Sequence, residues 1–576
     1  SQAKDWQQDP ESLNQLMTRN KFNDPLFDMA VQVYTDYQRG LNYRNAVDFS
    51  DLVRLAQRVL KSDPEYLSHL HYRWPYILED EAQDSSQIQQ DILESLVGTT
   101  GNWVRVGDPN QAIYETFTTA SPKHLIDFLQ YPNVTPRDLA NSGRSSHSII
   151  DLANYLIDWT RKDHPNPELQ DALSLPHIQP TDAGDPQPNP PDKPNSIYIY
   201  RSKLSSDQEI EQVVKSLNKW LPDHPEQTVA VLAPIGAHGE KIVEALKQED
   251  IPVVEMLKSS ESTRATARIF EKILLYLADP SKQVKLAAAF WEIYKTKFET
   301  PEEKAFYEKL QSALKACANL EDYLYLQPGK DWLQNEAAGF VSAEGIVLLA
   351  EFREQVRKWH KATLLPVDQM LLTLAQELFT RPADLALSHK LALLLEFNAR
   401  IHPENQLAEF AEELGEIAGN RRKFMGFSDD DTGFNPEDHK GEVFVSTYHK
   451  AKGLEWDRVY LLSVNNYDFP SAEAGDNYIG EKWYIKDHLN LEAEVLSKLE
   501  SLVKNDVTGL ELEAGVATQA ARIEYSSERL RLLYVGITRA REELIITWNS
   551  GRKGDSRMAL ALSALAAYQE GKNAAA

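Results

Sequence analysis

The chain has 576 residues, too many for one hydrophobic core, so about three domains of ordinary size are expected. Apolar residues make up 42% and charged residues 26%, and no apolar run approaches the roughly 18 residues of a membrane-spanning helix. The single cysteine, Cys317, excludes an internal disulfide and a cysteine-rich zinc site; a net charge of −26 excludes a uniformly basic surface but leaves room for a local positive groove. The opening Ser1-Gln2-Ala3-Lys4 lacks the basic-then-apolar pattern of a secretory signal, and a cytoplasmic protein without membrane contact is expected.

The first 45 residues read as helical, with apolar positions at Leu26, Phe27, Met29, Ala30, Val31 and Val33. A further helix over Asp48 to Ala56 precedes a buried-strand run, Tyr76-Ile77-Leu78. After helical residues near Ile88 to Leu96 comes a second short strand, Trp103-Val104-Arg105-Val106. Strands alternating with helices predict an α/β layered sheet. Acids follow both strands, at Asp80 and Asp108, where open α/β sheets place their ligand crevice.

Seven prolines between Pro176 and Pro194 mark an extended linker. Strands resume at Ile197 to Tyr200 and Val229 to Leu232, and residues 260 to 425 are persistently helical. Further strands are expected at Val443-Phe444-Val445, at Val459 to Leu462 and at Leu544-Ile545-Ile546. The pattern is an α/β fold split by a large helical insertion.

Two blocks suggest chemistry. Ile77-Leu78-Glu79-Asp80-Glu81-Ala82-Gln83-Asp84 puts an Asp-Glu pair after a buried strand, the Walker B arrangement. Asp80 would hold Mg²⁺ and Glu81 would orient and deprotonate the attacking water. Taken alone, such a pair is more often a solvated loop. In Val106-Gly107-Asp108-Pro109-Asn110-Gln111-Ala112-Ile113-Tyr114, Gln111 offers an amide for the γ-phosphate or lytic water, although Gly-Asp-Pro by itself is an ordinary turn.

The order and spacing of these blocks resemble motifs II and III of the UvrD/Rep family of superfamily 1 DNA helicases. Three later blocks agree. Leu139-Ala140-Asn141-Ser142-Gly143-Arg144-Ser145 resembles motif IV, Val445 to Trp456 motif V, and Glu528 to Ala540 motif VI. The resemblance implies two RecA-like parallel sheets with mostly helical insertions and ATP in the cleft between them. Residues 1–45 would be the tail of the first insertion and 46–125 the remainder of the first sheet domain. The second sheet domain would take 126–275 and 436–560, the second insertion 276–435, and a tail 561–576.

It further implies ATP and Mg²⁺ as cofactors, with Arg144 and Arg539 as arginine fingers and Glu455 on the ribose. Single-stranded or duplex DNA would lie against Tyr114, Phe117, Thr447 and His449. Closing and opening of the cleft would drive 3′-to-5′ movement, and the second insertion would be the place for a protein partner.

Three departures stand out. Gly143 occupies the family's adenine-stacking tyrosine position, and Thr116 the place of a base-stacking aromatic, with Phe117 one position on. No Gly-x-x-x-x-Gly-Lys-Ser/Thr occurs; Gly236-Ala237-His238-Gly239-Glu240-Lys241 comes nearest but has the wrong spacing and place. In the family this phosphate-binding loop precedes the region corresponding to residue 1, so a fragment without it is expected. The alternative is a non-hydrolysing DNA-binding or scaffolding subunit. The third reading, a helicase–nuclease subunit, has against it the short stretch of about 28 residues after Trp548.

Overall fold

The computed structural model describes residues 2–43, 46–98, 101–113, 121–256, 261–295, 298, 300–325, 329–419, 435–478, 480–482, 485, 488–551 and 554–575. They divide into two compact units, one of Ser1–Val253 with Lys440–Ala576, the other of Val254–His439. The expected α/β class with parallel sheets is borne out.

The first unit holds two sheets. The smaller pairs β1, Tyr76–Glu79, with β2, Asn102–Arg105, in parallel, and Ile77 lies opposite Trp103. The larger has six strands: β3 Ile197–Ile199, β4 Val229–Ala233, β5 Val253–Glu255, β6 Val443–Thr447, β7 Trp456–Leu461 and β8 Ala540–Ile546, in the order β3-β8-β7-β4-β6-β5. The pairings β3–β8, β8–β7, β7–β4 and β4–β6 are parallel. Val229-Ala230-Val231-Leu232-Ala233 is wholly buried, as a central parallel strand covered on both faces must be.

Helix starts in this unit are fixed by local chemistry. Asp48, Ser86 and Ser205 each form a capping box at the head of Phe49–Ser62, Gln87–Val97 and Ser206–Trp220. The first is also tied to the N-terminal segment, because buried Lys4 donates to Asp48 and Asp51, each at 2.7 Å. The long helix Val516–Ile537 is buried along its last ten residues.

The second unit is helical in its described residues from Glu261 onward. Its core gathers Phe270, Tyr276, Phe290, Phe352 and Trp359 with buried Cys317. Helix Glu261–Ala278, which the sequence reading counted with the α/β portion, packs here against Leu407–Ala418. No helix among the described residues is long and apolar enough to cross a membrane.

Candidate functional site

Both strands of the small sheet end in turns that lock to each other. The Ala82 amide donates to Val106 O at 2.9 Å, and Val106 N donates to Glu79 O at 2.8 Å. Glu81 adopts φ 51°, a left-handed conformation uncommon for a residue with a side chain. That kink turns the chain into the short 3₁₀ segment Ala82–Asp84. Gln83, buried, bridges the two turns: its Nε2 donates to Glu81 Oε2, and its Oε1 accepts from Asp108 N at 3.0 Å.

Asp80 is exposed beyond β1, and one carboxylate oxygen accepts from the Glu81 amide at 2.9 Å. Asp108 accepts from Gln111 Nε2 and from Asn110 N, each at 2.9 Å. Burial pushes its carboxyl above the usual carboxylate range, opposed by those two hydrogen bonds and by the charges of Arg539 and Lys452. Asn110 in turn exchanges hydrogen bonds with Ser174, at 2.8 and 2.6 Å.

The larger sheet supplies the facing residues. After β6 the chain makes a tight turn in which Ala451 N donates to Thr447 O at 3.2 Å and Lys452 N to His449 O at 3.4 Å. Tyr448 anchors this turn. Its fully buried ring lies where a Cβ on Gly536 would come within 2.8 Å, and its hydroxyl donates to Leu462 O at 3.1 Å. Lys452, with a side chain 8% exposed, then reaches the small sheet, its Nζ 2.6 Å from Asp84 Oδ2 and 3.1 Å from Glu81 Oε2. Burial raises the Asp84 carboxyl, and the Lys452 ammonium pulls it back down.

Arg144 and Glu455 form an ion pair with each other, and Arg541 stands 3.9 Å from the second Glu455 oxygen and 3.4 Å from Asp457. Arg539 is 1% exposed; it donates to Leu454 O and Val535 O, each at 3.1 Å, and to Thr538 Oγ1 at 3.2 Å. Burial, and then the nearby Arg144 charge, lower its pKa, so these carbonyls are what make a guanidinium tolerable there. Arg531, also buried, donates to Ala112 O at 2.7 Å and ties Val516–Ile537 to the turn after β2.

Glu81, Gln111, Arg144, Glu455 and Arg539 therefore lie around one junction between the two sheets. Thr447 and His449 border it on the β6 side, His449 Nε2 being 3.7 Å from the buried Glu528. Tyr114 and Phe117 lie outside the described residues. Sequence reasoning assigned no role to Lys452, Asp84, Asn110, Arg531 or Arg541. Their partners are remote in the chain, 368 residues away for Lys452 and Asp84, and no local pattern announces them.

No group of three or more acidic, histidine or cysteine side chains able to hold a metal occurs among the described residues. Asp80 nevertheless suits Mg²⁺, which usually takes one or two carboxylates and completes its shell with water and phosphate oxygens.

Comparison with known proteins gives a consistent picture. Residues 1–132 match the family model described as the UvrD/REP helicase N-terminal domain, and 387–551 that of the UvrD-like helicase C-terminal domain. The exonuclease/helicase subunit RexA of Lactococcus lactis subsp. cremoris is 24% identical, over 91% of this chain and 45% of its own. The putative ATP-dependent DNA helicase YjcD of Bacillus subtilis is 23% identical, over 91% and 58% respectively. The ATP-dependent DNA helicase PcrA of Leuconostoc citreum is also 23% identical, over 77% and 56%. The chain thus spans about half the length of the curated relatives it matches.

Proposed function

This chain belongs to the UvrD-like superfamily 1 helicases, and from that premise we propose that it is the greater part of an ATP-dependent DNA helicase moving 3′ to 5′. The observation that carries the reading is the meeting of the two sheets at one polar junction, where Lys452 touches Glu81 and Asp84 while Arg144, Glu455 and Arg539 gather beside Asp108. Phosphoryl transfer needs positioning and charge neutralisation more than covalent chemistry, and such a junction offers both.

In this reading Glu81 accepts a proton from the attacking water, Gln111 orients that water or the γ-phosphate, and Asp80 holds Mg²⁺. The ion would neutralise phosphate charge when bound. Arg144 is more available than Arg539, since its side chain is 31% exposed and pairs with Glu455 whereas Arg539 is buried. Arg539 would serve from its buried seat by fixing the loop that carries Glu455, or by turning outward when the cleft closes. The phosphate-binding loop comes from polypeptide outside these 576 residues. Single-stranded DNA passes over Thr447 and His449, and Tyr114 and Phe117 are further proposed contacts. The helical unit is the proposed meeting place for a protein partner, and the cytoplasm, with its DNA, the place of action.

The test is ATP turnover by the whole native gene product, with and without single-stranded DNA. DNA-stimulated turnover that Glu81→Gln lowers by about a thousandfold or more is expected. Turnover indifferent to Glu81→Gln would remove its assigned role. No turnover at all would favour the non-hydrolysing scaffold, a reading favoured by the buried Arg539, each of whose three nitrogens donates within its own sheet domain.

A further inference from the structure

One carboxylate oxygen of Glu81 is engaged within the protein. Oε2 accepts from Gln83 Nε2 and faces the Lys452 ammonium at 3.1 Å, while the side chain as a whole is 52% exposed. Lys452 is also bound to Asp84 at 2.6 Å, so its charge is shared between two acids of one turn. An ammonium this well enclosed, 8% exposed, is held far more firmly than a lysine on a solvated surface.

The backbone that carries Lys452 links this contact to the candidate DNA-contacting residues. Thr447, His449 and Lys452 share a single turn closed by the Thr447–Ala451 and His449–Lys452 hydrogen bonds. A ligand that pulls on Thr447 or His449 therefore moves Lys452 with them. The turn is pivoted at Tyr448, whose ring and hydroxyl are fixed in the core, and at Gly453, whose φ of 83° lets the chain reverse. Tyr448 thus fixes a turn that carries the Thr447 hydroxyl at one end and the Lys452 ammonium at the other.

We propose that Lys452 is a latch, a positioning residue that withholds Glu81 from the lytic water until single-stranded DNA draws the Thr447–Lys452 turn away. The proposal rests on the helicase reading above and deepens it by naming the contact through which DNA governs hydrolysis. No bond is made or broken by the latch; it exchanges one ion pair for a free carboxylate.

The experiment compares the whole native protein with its Lys452→Met and Lys452→Arg variants, measuring ATP turnover with and without a thymidine oligonucleotide. In Lys452→Met, turnover without DNA should rise roughly fivefold or more and the stimulation by DNA shrink in proportion, whereas Lys452→Arg should keep the wild-type ratio. A residue of merely structural importance would lower both rates and leave the ratio alone. DNA-free turnover at or below wild type in Lys452→Met overturns the latch. If the wild type shows no DNA-stimulated turnover, it is the helicase reading that fails, and the latch is judged on the 576-residue chain alone. There, acetylation of Lys452 by acetic anhydride, read by mass spectrometry, should be slow beside that of exposed Lys123 and should rise roughly fivefold in the Glu81→Gln, Asp84→Asn double variant. Equal labelling of Lys452 in the two forms overturns it.

Discussion

The two sheets of the first unit are built from the same kind of strand but held by different means. In β4 no residue is more than 1% exposed, whereas in β1 Leu78 is 78% and Tyr76 68% exposed among the described residues. Hydrophobic burial fixes the larger sheet. The small one is fixed at its carboxyl end by polar links: the strained Glu81, the Gln83 bridge and the Ala82–Val106 hydrogen bond. Acidic groups can thus be placed accurately where little apolar area is buried, provided that turn chemistry specifies the geometry. The two faces of the junction are accordingly held by unlike means, one by a core and the other by a hydrogen-bond network.

The largest effect that would sharpen this contrast is in β4. Leu232→Ala, at a fully buried position, should cost about 2–5 kcal/mol, read from hydrogen exchange of the β4 amides. Next comes the buried Asp468, whose carboxyl is pushed up to about 7 by burial and hydrogen-bonded to Asn465. Its folded pKa exceeds the ordinary 3.8, so the folded state binds the proton more tightly. Stability should be greatest below about pH 4 and decline as pH rises through 7, by about 1–3 kcal/mol from this residue. Asp468→Asn should flatten that slope in thermal unfolding measured from about pH 4 to 8. A slope that survives the substitution would assign it elsewhere.

Smaller effects belong to the small sheet. Gln83→Ala, which severs the bridge between the two turns, should cost about 1–2 kcal/mol and raise exchange at the Asp108 amide. Smallest of all, Leu78→Ala should change the stability of this chain by less than about 0.5 kcal/mol. If it costs as much as Leu232→Ala, the comparison collapses. If it costs little here but several kcal/mol in a longer native product, the exposed strand is one that further polypeptide covers.

Much of the fold could be read ahead because its strands are short apolar runs flanked by breaks in pattern. Val229 to Leu232 and Leu544 to Ile546 are examples, and β6, β7 and β8 fall where the runs predicted them. Strand order could not be read, since β3 lies beside β8 through pairs such as Ile197 and Leu544, joined by no local feature. The site divides similarly. Asp80, Glu81, Gln111, Arg144 and Arg539 stand in blocks whose order is distinctive. The links that give them their present state, Lys452 to Asp84 and Arg539 to Leu454, depend on long-range packing that side-chain identity does not encode.

The passage from β5 to β6 has a consequence for how such a protein is put together. The Val443 amide donates to Pro252 O at 2.9 Å, so the two strands begin side by side. The chain leaves beyond the far end of β5 and must return to the near end of β6, a crossover that any such pair requires and that roughly a dozen residues can accomplish. The second unit, from the end of β5 to His439, occupies the place of that one connection. It is an enlarged link between two neighbouring strands. A single designed helix grafted between Glu255 and Val443 should therefore leave the six-stranded sheet with the same neighbours in the same order.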